Sequence, residues 1–292
     1  MAEAVHQSTG KKTRWYLGDG GGQTINVADM EDFVEVFQYN LWDKPFETTQ
    51  KMCEGGWPQD VNTPNSKILP TTDDEWKGIG LCVFEGLSVG ADYMMGDRQG
   101  GLANRMAKGE MLNNDASFKI QDGDLKFGGL ARSHYGFTQR RILDIIERTR
   151  ALPCHVGWTA HERKVDDEEY KETWIGPDVS GKLLTTKIGA SFGNTVHLHP
   201  VKKIKKGVRD PLTEKIIDAI VIDRRAYTRT HFDPEAGHFV KYYANTRFPP
   251  GTPVEDYMPE FIEPNPIEYY KVLARARAEA KKNRPSVVGL QL

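Results

Sequence analysis

Two short apolar runs in this chain end in polar side chains of the kinds that bind ligands and take part in catalysis. Leu81–Phe84 stops at the carboxylate of Glu85. Cys154–Trp158 is followed by the hydroxyl of Thr159 and then by the imidazole of His161. Open α/β sheets bind their ligands at the carboxyl ends of the strands, so two parallel strands would bring these groups to one rim. The alternatives are that Glu85 caps a turn and that His161 is hydrogen-bonded within a strand-end turn.

The sequence around these runs predicts a parallel sheet. Each run is too short for a helix, and glycines flank the first one, which is typical of strands that are buried on both faces. Between the runs, Tyr135–Arg150 repeats apolar residues at helical spacing. A strand, a crossover helix and a second strand form the unit from which right-handed parallel sheets are built. We therefore expect the two runs to be parallel strands that are neighbours or near-neighbours.

The composition narrows the class of protein. The chain has 292 residues and a net charge of −2, so electrostatic binding must come from local patches. Cys53, Cys82 and Cys154 lack the spacing of a metal site or of a disulfide framework, which favours buried thiols in a reducing compartment. No apolar run reaches membrane-spanning length, and the N-terminus has no apolar signal core. We expect a soluble, cytoplasmic protein without a membrane partner.

The segments before and between these runs vary in character. Met1–Lys12 is small and polar and is expected to be a loose end, whereas Thr13–Gly18 can form a strand. Met30–Trp42 carries an apolar stripe that predicts a helix. Asp92–Ser133 is rich in glycine, and a long excursion of this kind between a strand and its helix is usually functional or mobile.

The last third of the chain reads as a β-rich portion and a helix. Asn194–His199 and Ala219–Ile222 predict two strands, and the basic residues between them indicate the turn of a hairpin or a sheet edge. In His197-Leu-His199 two imidazoles share a strand face; two metal ligands are possible there, but two structural histidines is the favoured interpretation. Prolines accumulate after Pro249, and a helix is expected from Ile267.

The order of these parts resembles the RecA-like P-loop ATPases carried by phages, which are related to single-strand annealing and recombination ATPases. Tyr16–Gly22 is similar to the acidic, glycine-containing turn after the second strand of that family. Cys82–Ser88 is similar to the Walker B strand, and Gly157–His161 to the sensor strand that ends Thr-x-His. Gly176–Lys182, followed by Phe192–His199, resembles the next loop and strand of the same core.

The resemblance implies an α/β fold, a RecA-like mostly parallel sheet flanked by helices, with a β-rich extension and a C-terminal helix. Residues 1–248 would be the core without its first P-loop strand, 249–266 a proline-rich linker, and 267–292 the helix and tail. The family's Gly-x-x-x-x-Gly-Lys-Ser/Thr loop is absent from the chain; Thr9–Thr13 imitates only its end, with Val5 where the first glycine belongs. Either the chain is a shortened version of the family or its nucleotide site has been lost.

The resemblance also implies roles for individual residues, with ATP and Mg²⁺ as cofactors. Glu85 would hold Mg²⁺ through water or polarise the attacking water, and His161 would respond to the γ-phosphate. The other residues implied in nucleotide binding are Asp19, Ser88 and Thr159, with Arg229, Lys241 and Arg247 as candidates for reaching a neighbour's nucleotide. Ordinary solvated charges are the alternative for each basic residue.

Basic residues with aromatic neighbours suggest single-stranded DNA as a partner. A phosphate backbone could follow the lysines of two segments, which are Lys182, Lys187, Lys202, Lys203, Lys205 and Lys206. Trp174 and Phe192 could stack on bases, although lysines also protect sheet edges. The function implied is a phage-type ATPase of DNA recombination or replication, acting as a homo-oligomer in the host cytoplasm. The rival is a non-catalytic binding or structural protein that keeps the fold.

Overall fold

The structure, a computed structural model, is a mixed α/β fold built from two compact units. One unit comprises Ala2–Val165 with Gly176–Ser191, and is called the N-terminal unit; the other comprises Asp166–Ile175 with the chain from Phe192 onward, and is called the C-terminal unit. The residues that the structure describes are 2–17, 30–38, 56–58, 67–95, 132–168, 171–179, 181–209, 214–233, 239–248, 256–264 and 266–282.

The N-terminal unit is organised around a four-stranded parallel sheet of order β2-β1-β5-β6. Its described strands are β1 (Lys12–Leu17), β2 (Val34–Gln38), β3 (Trp57–Pro58), β4 (Ile68–Leu69), β5 (Ile79–Phe84) and β6 (His155–Trp158). Its described helices are α1 (Ala2–Thr9), α2 (Asp74–Lys77), α3 (Leu87–Met95), α4 (Arg132–Thr149) and α5 (Lys182–Lys187), with a 3-10 turn at Ile188–Ser191.

Strands β5 and β6 confirm the prediction made from the two apolar runs. They are adjacent and parallel, with Leu81 opposite His155 and Phe84 opposite Trp158. All of β5 is buried, as expected for an inner strand of a parallel sheet. The predicted crossover helix is present as α4, and its Ile142, which is fully buried, belongs to the core.

A row of stacked aromatic rings crosses the whole sheet. Tyr16 lies opposite Phe37 on one side and Phe84 on the other, with ring centroids 5.4 and 5.1 Å apart. The Phe84 ring lies 4.6 Å from that of Trp158, which completes a four-ring row over four strands. Trp57 packs edge-on against Tyr16 and Phe84, and its Nε1 donates a hydrogen bond to the Tyr16 hydroxyl at 3.1 Å. These contacts stabilise one register, that is, one set of residues that lie opposite each other on neighbouring strands.

Two residues before Tyr16 on β1, the buried Arg14 pairs with a glutamate on the neighbouring strand β2. The Arg14 side chain is 4% exposed, and its Nη2 atom lies 3.1 Å from the carboxylate of Glu35 on β2. The guanidinium carbon also lies 4.7 Å from the centroid of the Trp76 ring. The ion pair and the aromatic contact replace much of the hydration that this guanidinium loses on burial.

The C-terminal unit consists of small, mostly antiparallel sheets and one long helix. The remaining strands, of which β7 begins and β8 ends within the N-terminal unit, are β7 (Glu162–Asp167), β8 (Glu172–Pro177), β9 (Asn194–Thr195), β10 (His197–Arg209), β11 (Ile216–Tyr227), β12 (His231–Asp233), β13 (Phe239–Tyr242), β14 (Asn245–Thr246) and β15 (Phe261–Ile262). The strand orders are β10-β11-β15, β12-β13-β8-β7 and β14-β9. The expected C-terminal helix is α6 (Pro266–Lys282), which buries Tyr269, Leu273 and Ala276 against Met258.

Two predictions for the N-terminal half are wrong. Ala2–Thr9 is a helix and not a loose end, and it packs on the start of β5, where a Cβ on Gly80 would lie 2.6 Å from Val5. The segment predicted as a helix at Met30–Trp42 contains strand β2. Val34 and Val36 favour a strand, and pairing with β1 outweighs the helical stripe. The residues from 39 onward in that prediction lie outside the described part.

Two predictions for the second half of the chain, the basic turn and the loop at Gly176–Lys182, also differ from the structure. The residues predicted as a basic turn belong to strand β10, which pairs antiparallel with β11. The predicted pairing of the two strands is present, and the basic residues lie within one of them. The loop predicted at Gly176–Lys182 begins within strand β8, which ends at Pro177. Most of the glycine-rich excursion at 92–133 lies outside the described residues.

The aromatic row predicts a large effect of removing its central ring. Phe84→Ala would leave a cavity among Tyr16, Trp57 and Trp158, and we expect a loss of about 3–5 kcal/mol in the free energy of unfolding. Urea unfolding followed by tryptophan fluorescence measures it. Tyr135→Ala, which removes a ring that is 42% exposed on α4, is the control and should change stability by under about 1 kcal/mol. Equal losses in the two variants would contradict the structural role of the row.

Candidate functional site

The carboxyl ends of β5 and β6 bring together four of the residues singled out from the sequence. Glu85 directly follows β5, and Thr159 directly follows β6. The backbone N–H of Thr159 donates to the carbonyl of Phe84 at 3.1 Å, so the pairing of the strands continues to this edge. Ser88 lies in the first turn of α3 and His161 follows Thr159 by two residues. This group is called the carboxyl-edge cluster.

Thr159 joins the end of β6 to the start of helix α3. Its side-chain oxygen accepts a hydrogen bond from the N–H of Gly86 at 3.1 Å, and its carbonyl accepts one from the N–H of Leu87 at 2.9 Å. Gly86 has a φ of +91°, a backbone conformation that favours glycine and lets the chain turn sharply from strand into helix. Two amides near the N-terminus of α3 are therefore directed at Thr159.

The hydroxyl of Ser88 also has a partner within the fold. Its Oγ accepts a hydrogen bond from the N–H of His161 at 2.9 Å, and the residue is only 4% exposed. This bond ties the connection between β6 and β7 to the start of α3. Ser88 thereby fixes the position of the His161 backbone, while the His161 residue itself is exposed.

Glu85 is held by the neighbouring strand. Its carboxylate accepts a hydrogen bond from the indole Nε1 of Trp15 at 3.2 Å, and its backbone N–H donates to the carbonyl of Tyr16 at 2.9 Å. The residue is half-buried. A hydrogen bond from an indole to a carboxylate stabilises the charged form and orients the group. Glu85 is thus a positioned carboxylate at the carboxyl edge of the sheet, which is where open α/β sheets bind their ligands.

Three charged residues that the sequence did not single out lie next to this group. Arg163 donates to Asp178 across 3.3 Å, and the backbone N–H of Asp178 donates to the carbonyl of His161 at 2.7 Å. Partial burial, and then the Asp178 carboxylate, raise the pKa of Asp92 above its ordinary value, while Arg163 and His161 oppose the shift. One sequence signal pointed here, since Asp178 belongs to Gly176–Lys182, the segment whose sequence resembles a loop of the ATPase family.

The imitation of a phosphate-binding loop at the N-terminus does not have the structure of one. In a P-loop the glycine and lysine precede a helix, whereas Thr9 ends helix α1 and Lys12 begins strand β1. Gly10, with a φ of +68°, donates its N–H to the carbonyl of His6 at 2.7 Å and so terminates α1. The segment is a helix C-cap.

The remaining predicted residues are spread over both units. Asp19 lies outside the described residues. Lys182 and Lys187 are the first and last residues of α5 in the N-terminal unit. In the C-terminal unit, Lys241 of β13 places its ammonium 4.1 Å from the centroid of the Trp174 ring, so this ring is covered by a cation. Arg247 accepts a hydrogen bond on its carbonyl from Arg277 at 3.3 Å, and the remaining predicted arginine, Arg229, follows β11.

The other predicted basic residues and the histidine pair lie on one strand of the C-terminal unit. Lys202, Lys203, Lys205 and Lys206 are all part of β10. At the start of the same strand, the rings of His197 and His199 lie 5.6 Å apart and each lies 6.5 Å from that of Tyr227. Both imidazoles thus pack around a tyrosine, although two neutral imidazoles could also serve as metal ligands.

Comparison with known proteins assigns the chain to no group. No protein-family model, no curated protein and no solved structure matches it. Among the described residues, no helix has both the length and the apolar character needed to cross a bilayer.

The geometry at Thr159 predicts a selective loss of stability. Thr159→Ala would remove the acceptor of the Gly86 N–H, at a cost of about 1 kcal/mol in the free energy of unfolding. Thr159→Ser keeps the oxygen and should retain most of that stability. Urea unfolding of both variants makes the comparison. If serine and alanine destabilise equally, the hydroxyl does not hold the start of α3.

The raised pKa of Asp92 predicts a dependence of stability on pH. Above the ordinary pKa of 3.8 the folded protein binds more protons at this residue than the unfolded chain, so stability falls as pH rises through the folded pKa. Asp92→Asn removes this effect. We expect its gain in thermal midpoint over the wild type to grow from about pH 3 to about pH 7. A gain that shrinks or vanishes over this range would contradict the electrostatic environment described for Asp92.

Proposed function

We propose that the carboxyl-edge cluster belongs to a RecA-like, phage-type ATPase of DNA recombination or replication, which works on single-stranded DNA as a homo-oligomer. One observation carries the proposal: a positioned carboxylate, Glu85, and an exposed histidine, His161, follow neighbouring parallel strands at the same edge. Open α/β sheets bind ligands at this edge, and phosphoryl transfer needs an acid there that binds Mg²⁺ or orients water.

The donor set fits a magnesium ion that keeps most of its water. Mg²⁺ prefers oxygen ligands and is usually held by one or two carboxylates together with the phosphates of the substrate. Glu85 would hold the ion through water, with its carboxylate oriented by Trp15. The bound ion would neutralise charge on the phosphates. Arg163 and His161 add cationic or polar groups beside Asp178, where they could respond to a γ-phosphate.

We expect this chain to bind the phosphates of ATP weakly. The sequence has no Gly-x-x-x-x-Gly-Lys-Ser/Thr loop, and that loop supplies most of the amides and the lysine that bind ATP in such proteins. The amides of Gly86 and Leu87 already donate to Thr159. ATP binding by the chain alone should therefore be poor and turnover slow.

The same contacts favour a second candidate function, that of a non-catalytic binding or structural protein. In both Thr159 and Ser88, the hydroxyl oxygen already accepts a hydrogen bond from a backbone N–H group of the fold. Polar groups used in this way stabilise the fold whether or not a reaction takes place at the edge. The two candidates differ in one respect, which is whether Glu85 is required for phosphate release.

An ATPase assay of Glu85→Gln separates the two functions. At millimolar ATP and Mg²⁺, we expect slow phosphate release that single-stranded DNA increases and that falls by about a hundredfold or more in Glu85→Gln, since a positioned base or water-orienting group contributes about 10²–10⁴-fold. Glutamine keeps the size of the side chain and can still accept from Trp15. Glu147→Gln, an exposed acid on α4 that pairs with Arg150, is the matched control and should leave the rate unchanged.

The outcomes of this assay are decisive. Phosphate release that needs Glu85 supports the ATPase. If Glu85→Gln releases phosphate as fast as Glu147→Gln, or if the protein releases none above a protein-free blank, the ATPase proposal is contradicted and the non-catalytic protein is favoured.

A further inference from the structure

The longest strands of the described chain form a two-stranded arm. β10 and β11 pair antiparallel from His197 opposite Tyr227 to Arg209 opposite Ile216. The third strand of that sheet, β15, pairs only with Ala226 and Tyr227, at one end of the arm. Over the rest of its length the arm, which is called the β10–β11 ribbon, pairs with no other strand of the part of the chain that the structure describes.

The ribbon is strongly basic along one of its strands. β10 carries four lysines and an arginine and no acidic residue, although the whole chain has a net charge of −2. Lys205 and Lys206 are exposed. Exposed lysines at unpaired edges disfavour pairing with a strand of another molecule, so a second copy of this chain is a poor occupant. The charge is instead complementary to an anionic polymer.

A bulge near the outer end shapes the ribbon. Lys205 lies opposite Ala219 and Val208 opposite Ile217, so that Lys206 and Gly207 together face a single residue of β11. Gly207 has a φ of +69°, which permits the bulge at low cost. Bulges strengthen the right-handed twist of a strand pair. The bulge therefore favours a twisted pair of strands over a flat sheet edge.

Beyond its end at Tyr227, the ribbon has none of the aromatic rings on which single-stranded nucleic acid stacks its bases. Proteins that hold single-stranded nucleic acid stack bases on aromatic side chains, and positions 198–226 contain no Phe, Tyr or Trp. Its exposed apolar side chains are aliphatic, with Leu198 63% and Ile222 58% exposed. The major groove of B-DNA admits a two-stranded β-ribbon and offers thymine methyl groups to aliphatic contacts.

We propose that the β10–β11 ribbon binds double-stranded DNA by entering its major groove, with the β10 lysines on the phosphates. The inference goes beyond the ATPase proposed above and does not depend on nucleotide. It also changes the partner expected for Lys202, Lys203, Lys205 and Lys206 from a single strand to a duplex.

Fluorescence anisotropy of the full chain, without ATP, tests the proposal. The probes are a labelled DNA duplex, each of its single strands, and an RNA duplex of the same sequence, whose major groove is too deep and narrow for side chains to read. We expect the DNA duplex to bind at least about tenfold more tightly than the other probes. Lys205→Gln with Lys206→Gln should weaken duplex binding about tenfold at low salt and reduce the slope of log affinity against log salt by about 1.8.

The control is a second adjacent lysine pair with the same change of charge. Lys281→Gln with Lys282→Gln alters the exposed last turn of α6 and should leave duplex affinity and salt slope unchanged. The proposal is overturned if single strands or the RNA duplex bind as tightly as the DNA duplex, or if the two double variants behave alike. A change in self-association of the β10 variant, with DNA affinity intact, would likewise overturn it and identify the lysines as edge protection.

Discussion

The stacking of four aromatic rings across the parallel sheet fixes the register of the two strands whose carboxyl ends form the candidate site. Phe37, Tyr16, Phe84 and Trp158 occupy one cross-strand row, and each ring restrains its neighbour in register. Glu85 comes directly after Phe84, and Thr159 comes directly after Trp158. A slip of one residue between β5 and β6 would therefore break the stacking and also separate the carboxylate from the residues that follow β6. Register and candidate site depend on the same contacts.

At the carboxyl edge, some polar groups hydrogen-bond to the backbone of the fold, and others carry charged side chains that are positioned by neighbouring residues. The oxygens of Thr159 and the hydroxyl of Ser88 accept backbone N–H groups, and these bonds fix the start of α3 and the path of the chain after β6. Glu85 is oriented by Trp15, while Asp178 and Arg163 form an ion pair beside His161. The first group explains why the edge is well defined, and the second group supplies the charged side chains on which the proposed nucleotide site is based.

The sequence could predict those features that arise from local pattern. Short apolar runs identified β5 and β6, and the helical spacing of apolar residues identified α4, because burial on both faces or on one stripe leaves a clear signature. The sequence predicts a helix at Met30–Trp42, where strand β2 lies, because the strand character of Val34–Gln38 depends on pairing with β1. Within the site, Glu85 and His161 followed from strand ends. The pairing of Arg163 with Asp178, and the effect of both on Asp92, joins segments far apart in the chain and has no local signature.

The central claim is that a magnesium nucleotide binds at the edge where Glu85 is held, and the indole N–H of Trp15 reports on that carboxylate directly. Nitrogen–proton correlation spectra resolve the indoles of the six tryptophans, which Trp→Phe variants assign. On titration with Mg²⁺·ATP, the account predicts a saturable shift of the Trp15 indole resonance, while the Trp57 indole, which donates to the Tyr16 hydroxyl in the core, stays in place. A Trp15 resonance that does not move at saturating nucleotide would contradict the account.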